Sequence, residues 1–302
     1  MISFNFIPSD IRVPGVYAEF DGSKAVTGLP PSPQKILLIG QRLATGTAPA
    51  LTPVRLTSKA AAVVAFGRGS MGALAFAALW DNNDRTETWG IGVDDVGGAT
   101  AASATISVTG PATFNGTVAL QVAGIAVDVG VVAAASAVSI AAAIVAKINA
   151  KPDLPVSATV AGDVVTLTAR NKGTAGNDID VRHSFYQGEA LPAGVGLIIT
   201  AMTGGATDAD VATVFAAIGD TQFPTIILPF AGTATLVAVE TELASRAGPL
   251  RAIESMAYAG LRGSYGALAA IGAVRNSMYV SMIGAKGSPT HPAAWEIGRA
   301  HV

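Results

Sequence analysis

Apolar and polar positions along the chain follow two different rhythms. Ile36-Leu37-Leu38-Ile39-Gly40 is an unbroken apolar run ended by glycine, the pattern of a strand buried on both faces. Ser58 can cap a helix running through Phe66, and Ser70 a second through Ala78-Leu79-Trp80; Thr88–Val93 then reads as the next strand. Strand, helices, strand predicts an α/β layer beginning at Gln34. Near Val96-Gly97-Gly98 the rhythm changes to short alternating runs at Thr105–Val108, Thr117–Val122, Ile125–Val129, Val156–Val160 and Val164–Ala169. A single Ala-rich helix, capped by Ser136 and running to about Asn149, interrupts them. After Asp208 the first rhythm returns: a helix through Ala217, the apolar strand Thr225–Leu228, a helix from about Thr233 to Ala247, the stretch Arg251–Met256, and a last strand Met278–Ile283.

The fold class expected is a mixed α/β (α+β) core interrupted by an inserted β-rich domain, with an extended N-terminal arm. The boundaries fall at 1–33 for the arm, 34–96 and 206–295 for the two parts of the core, and 97–205 for the insert. The arm is punctuated by Pro8, Pro14-Gly15 and Pro30-Pro31-Ser32-Pro33, which break helices and confine strands to edges. Within it Ile2, Phe4 and Phe6 alternate with Ser3 and Asn5 as in a half-buried strand, yet no hairpin turn follows to supply a local partner. That strand pairs either at a distance within its own subunit or with another chain.

Composition narrows the function classes. The 302 residues include no cysteine, which removes disulfides and thiolate chemistry. Nineteen Lys and Arg against twenty-one Asp and Glu give a net charge of −2, so there is no electrostatic footprint for nucleic acid. The charged fraction is 13%, about half of the roughly 25% usual in soluble domains. A surface so poor in charge suits a subunit packed against copies of itself; a genome biased toward Ala and Gly is the other explanation. The N-terminus has no basic n-region followed by a long apolar stretch, so it does not read as a secretory signal. The charge-free stretch Gly130–Ala146 is mainly Ala, too weakly apolar for a membrane span, and membrane insertion is not expected.

Candidate chemistry is sparse. Gly67-Arg68-Gly69-Ser70-Met71-Gly72 matches the dinucleotide fingerprint G-x-G-x-x-G, but Ser58–Phe66 before it reads as a helix, whereas the fingerprint needs a strand there. His183, His291 and His301 are far apart and form no metal-binding spacing; neither a nucleophile elbow nor a P-loop occurs. Asn177-Asp178-Ile179-Asp180 lacks the spacing and closing glutamate of an EF-hand and reads as a turn into a strand over Ile179–Arg182. No catalytic residue, cofactor or metal is assigned, and the chain is not expected to be an enzyme. The alternatives left open are a nucleotide-binding enzyme using the Gly67–Gly72 turn and a surface or adhesion protein.

A resemblance accounts for this organisation. Ser3-Phe4-Asn5-Phe6-Ile7-Pro8 and Arg12-Val13-Pro14-Gly15-Val16-Tyr17 resemble the N-terminal arm of the Mu-like family of contractile phage tail sheath proteins. So do Phe66-Gly67-Arg68-Gly69-Ser70, the segment Leu167–Asp180 with Gly176, Asn177 and Asp178, and Ser288-Pro289 followed by Pro292 and Trp295. The resemblance implies a virion tail protein, made in the host bacterial cytoplasm, that stacks in helical rings of its own copies around the tail tube and contracts to drive that tube through the host envelope. The partners implied are other copies of the chain, the tail tube protein, and baseplate and tail terminator proteins, with no nucleic acid. The arm residues Ile2, Phe4, Phe6 and Ile7 would be donated to neighbouring subunits. Family members continue past the Ser-Pro…Trp region, and Glu296–Val302 is what one reading frame of a common sequencing-adapter oligonucleotide would encode. The expectation is therefore that native sequence ends near Trp295 and that 296–302 is a non-native tail. A chain so shortened should leave sheet edges unpaired and aggregate or stay unassembled.

Overall fold

The computed structural model describes residues 7, 10–19 and 34–295. Of the arm strand expected over Ile2–Ile7 only Ile7 is among them; the rest of that strand and the tail 296–302 lie outside. Residues 1–33 form one unit and 34–302 another. Within the first, residues 10–19 are irregular; the backbone N–H of Ile7 donates to the Glu19 carboxylate at 3.2 Å, and the Tyr17 hydroxyl donates to the Val13 carbonyl at 2.9 Å.

The second unit opens with β1 (Lys35–Gln41), β2 (Pro53–Leu56), α1 (Lys59–Phe66), α2 (Met71–Asn82) and β3 (Glu87–Val93). Both expected caps form: the Ser58 hydroxyl accepts from the Ala61 N–H and the Ser70 hydroxyl from the Ala73 N–H, each satisfying a donor the first turn cannot use internally. The intervening region supplies β4 (Ser103–Thr109), β5 (Gly116–Val122), β6 (Ile125–Val131), α3 (Ala137–Asn149), β7 (Val156–Ala161), β8 (Val164–Ala169), β9 (Val181–His183) and β10 (Gly196–Ile199). The chain then returns through α4 (Val211–Ile218), β11 (Thr225–Leu228), α5 (Thr233–Ala247), β12 (Met256–Arg262), α6 (Tyr265–Val274), β13 (Val280–Ala285) and α7 (Pro292–Trp295). No helix among the described residues is long and apolar enough to cross a membrane.

The first and last groups of strands build one six-stranded sheet, in the order β13-β12-β11-β1-β3-β2. It is parallel throughout except for the edge strand β2. The unbroken apolar run of β1 is explained by its central place. Ile36 and Leu38 pack with Phe66, Phe76 and Leu79 on the face covered by α1 and α2, while Leu37 and Ile39 pack with Phe215, Leu236 and Val239 on the face covered by α4 and α5. The intervening strands form two antiparallel sheets, β10-β4-β8-β7 and β6-β5-β9, sharing with α3 an apolar core of their own. The incoming and outgoing chains run side by side, with bridges between Thr100 and Ala206 and between Ser103 and Thr203.

Three expectations need correction. β2, β10, β12, α6 and α7 were not anticipated; the last strand lies two residues later than Met278–Ile283; and Thr174–Asp178 is a 3-10 turn, so the strand expected from Ile179 begins at Val181. β12, Met-Ala-Tyr-Ala-Gly-Leu-Arg, carries little strand propensity of its own and owes its conformation to pairing on both sides with β11 and β13.

Candidate functional site

In parallel sheets flanked by helices, the carboxyl ends of the strands are where ligands usually sit, at the point where strand order reverses. Here that point lies between β1 and β11, and the chain fills the neighbouring edge with its own residues 170–182. The side chain of Gln41, the last residue of β1, donates to the Lys172 carbonyl at 2.7 Å and to Asp95 at 3.1 Å. Asp95, just past β3, accepts the Lys172 N–H at 2.9 Å. Asn171, 3% exposed, joins three elements: its side-chain oxygen accepts the Met71 N–H at the start of α2 at 2.9 Å, and its amide donates to the Arg42 carbonyl and to Asp95. Farther along, the Asp208 carboxylate accepts the Thr174 N–H and hydroxyl, and Ala175 is buried in the sheet core with Leu37 and Ile39. The Arg262 side chain, at the end of β12, binds the Asp180 carboxylate, which also binds Arg182; Arg182 in turn reaches the Gly287 carbonyl beyond β13. As residue number rises from 172 to 182, the partner strand moves from β3 and β1 to β12 and then to the end of β13.

Of the expected signature residues, Gly67, Gly69, Ser70, Gly176, Asn177, Asp178, Ser288 and Pro289 belong to the unit that holds this seam. Gly67 follows α1, so no strand precedes the G-x-G-x-x-G turn, and the turn serves as a docking point. A Cβ on Gly69, whose φ is +79°, would lie 2.6 Å from the Pro152 carbonyl oxygen and 2.7 Å from that of Leu154, so only glycine lets the intervening region come this close. Ser70 is fully buried as the cap of α2. A side chain at Gly72 would strike Phe66 and the Gln41 carbonyl, the approach that seats α2 on β1. Gly176 packs between Ala102 and Ala169. Asn177 exchanges two hydrogen bonds of 2.9 Å with the backbone of Gly205. The Asn177-Asp178 stretch is thus engaged as structure: Asn177 holds the outgoing chain and Asp180 is held by two arginines. Burial pushes the Asp178 carboxyl up to about 6, against the lowering influence of Arg262 and with a further upward push from Asp208.

Ser288 and Pro289 lie in the segment after β13, where the Ser288 hydroxyl accepts the Thr290 N–H at 3.2 Å. That segment leads to His291, which is fully buried: its Nε2 donates to the Ala175 carbonyl at 2.8 Å and its Nδ1 accepts the Ala293 N–H at 3.1 Å. Pro14 and Gly15 lie in the exposed 10–19 stretch, with Val13 and Val16 beside them 70% and 100% exposed. Sequence reasoning missed Gln41, Asp95, Asn171, Asp208 and Arg262 as parts of one constellation. No group of His, Cys, Asp or Glu able to hold a metal ion occurs among the described residues.

This arrangement clamps the intervening region to the sheet; it presents no paired acid and base to a substrate. Comparison with known proteins adds the relationship. The chain is 36% identical over 301 residues to the Mu-like prophage FluMu tail sheath protein of Haemophilus influenzae, a match spanning 100% of this chain and 62% of that protein. The chain therefore spans about three-fifths of the length of that curated relative. No family model matches. Among solved structures, a sheath tail protein from Listeria innocua aligns over 77% of this chain and 48% of its own, at 12% identity and a TM-score of 0.32. Another, from Desulfitobacterium hafniense, aligns over 93% and 60%, at 14% identity and a TM-score of 0.35; at these scores neither likeness carries weight.

Proposed function

We propose, for a chain related along its whole length to a Mu-like phage tail sheath protein, that it is a structural subunit of a contractile tail sheath and works by assembly rather than catalysis. The relationship at 36% identity is the observation that carries this reading. The low charge content and the use of the glycine-rich turn as a packing contact favour it over a nucleotide enzyme. Copies of the chain stack in helical rings around a tail tube, bounded by baseplate and terminator proteins, and shorten together to drive the tube through the host envelope. Contraction moves rigid bodies between two packings, and the clamp along residues 170–182 suits a body that must move without deforming. Ile2, Phe4, Phe6 and Ile7 form the strand donated to neighbouring subunits, where backbone bonds supply affinity and alternate side chains fill pockets. Residues 97–205 are an inserted domain, a reading supported by their separate sheets and by the paired incoming and outgoing chains.

The test is co-expression with a tail tube protein, followed by sedimentation. Joined to the C-terminal part into which the resemblance implies the family continues, the chain is expected to pellet with the tube as a polymer, and a variant of it lacking residues 1–7 to remain in the supernatant with unchanged circular dichroism. A chain that never associates with tubes or with itself would overturn the reading.

A further inference from the structure

The segment 286–295 leaves the edge strand β13 and folds back over the clamp. It is held at its far end by Ala293, buried in the same apolar cluster as Phe76 and Leu79 of α2, and at its middle by the His291 ring. Both ring nitrogens are committed. Nε2 must carry a proton to donate to Ala175, and Nδ1 must lack one to accept from Ala293. Protonating Nδ1 would set its new N–H against the N–H of Ala293, with no acceptor between them. It would also place a charge in a fully buried site.

The surroundings offer that charge little compensation. β12 contributes Arg262, a cation that acts on the ring, and Asp180 of the 170–182 segment is already bound to Arg262 and Arg182. The segment's own Lys286 adds a positive charge near its start. From α2 the neighbours are apolar, and its acid, Asp81, pairs with Lys59 on the outside. We propose that segment 286–295 is a strap that acid releases from the carboxyl edge of the sheet, with His291 as the pin that must stay neutral for it to remain docked. Burial above all, with Arg262 adding to it, holds the His291 ring well below its ordinary range, at about 4, while the hydrogen bond to Ala175 works in the opposite direction. Because the docked ring binds a proton less tightly than a released one, docking is fully favoured above about pH 6.5 and is lost as pH falls toward 4.

Hydrogen exchange of the intact chain, corrected for the pH dependence of intrinsic exchange, tests this between pH 7 and pH 4. Protection of residues 286–295 should fall by on the order of tenfold or more, while protection of β1 stays high. His291→Gln keeps an amide donor for Ala175 but cannot take up a proton, and its strap protection should be flat over the same range. The second readout, useful should that variant fail to fold, is 15N NMR of the histidine rings in the native chain. His291 should keep its Nε2–H tautomer at pH 5.5, where a solvated histidine is charged. Equal loss of protection in both proteins, a strap that stays protected in the native chain at pH 4, or a His291 ring that titrates near 6.5 would each overturn the proposal.

Discussion

At the scale of single residues, the seam depends on a few positions with no substitute. Gly69 combines a left-handed backbone with two carbonyl oxygens closer than any Cβ tolerates. Gly69→Ala should therefore destabilise the fold by about 2–4 kcal/mol, read from the urea midpoint at unchanged slope. Asp178 behaves differently because the fold disfavours its charge. With a folded-state value near 6, the protein binds this proton more tightly than the unfolded chain does, so the penalty is complete above pH 6 and is relieved as pH falls from 6 toward 4. Asp178→Asn should be more stable than the native protein at pH 7.5 and lose that advantage by pH 4, as thermal melts at both pH values would report. An advantage independent of pH would mean that burial of the charge is not what Asp178 costs the fold.

At the scale of elements, legibility in the sequence followed locality. The caps at Ser58, Ser70 and Ser136 were readable because a hydroxyl and the N–H three residues on are neighbours along the chain. β1 was readable because burial on both faces leaves a continuous apolar run. β12 was not: its small residues take strand conformation from β11 and β13, neither of which its own sequence specifies. α6, Tyr265–Val274, is apolar yet has no buried residue, so no alternation of burial marked its boundaries. The clamp was the least visible feature, because the partners of Asn171 lie 76 to 129 residues away in sequence and turn-forming residues look alike whether or not they bind distant groups. Asn171→Ala would leave the Met71 N–H and the Arg42 carbonyl without this partner at a buried junction. The expected cost is about 2–4 kcal/mol. Hydrogen exchange should rise first at the start of α2 and in residues 170–182, ahead of α5.

At the scale of the whole molecule, the chain presents apolar surface that its own fold does not use. Val274 is 83% exposed and Tyr265 74% exposed on α6, beside the edge strand β13, and the composition supplies few charges to keep such a surface apart from its copies. On the proposed reading, such a surface is covered by neighbouring copies. Val274→Lys should accordingly shift the melting temperature little, within about 0.5 kcal/mol of native stability, and reduce polymer formation in the sedimentation assay. Equal sedimentation would place α6 outside the interfaces.

The most direct measurement is cryo-electron microscopy of particles made when the gene is expressed with its genomic neighbours. A sheath subunit appears as an outer helical layer around a narrower tube, with the six-stranded sheet recognisable in every copy. Tails that assemble with this chain absent from the outer layer, or a chain recovered only as a discrete particle bound to a nucleotide, would contradict that assignment.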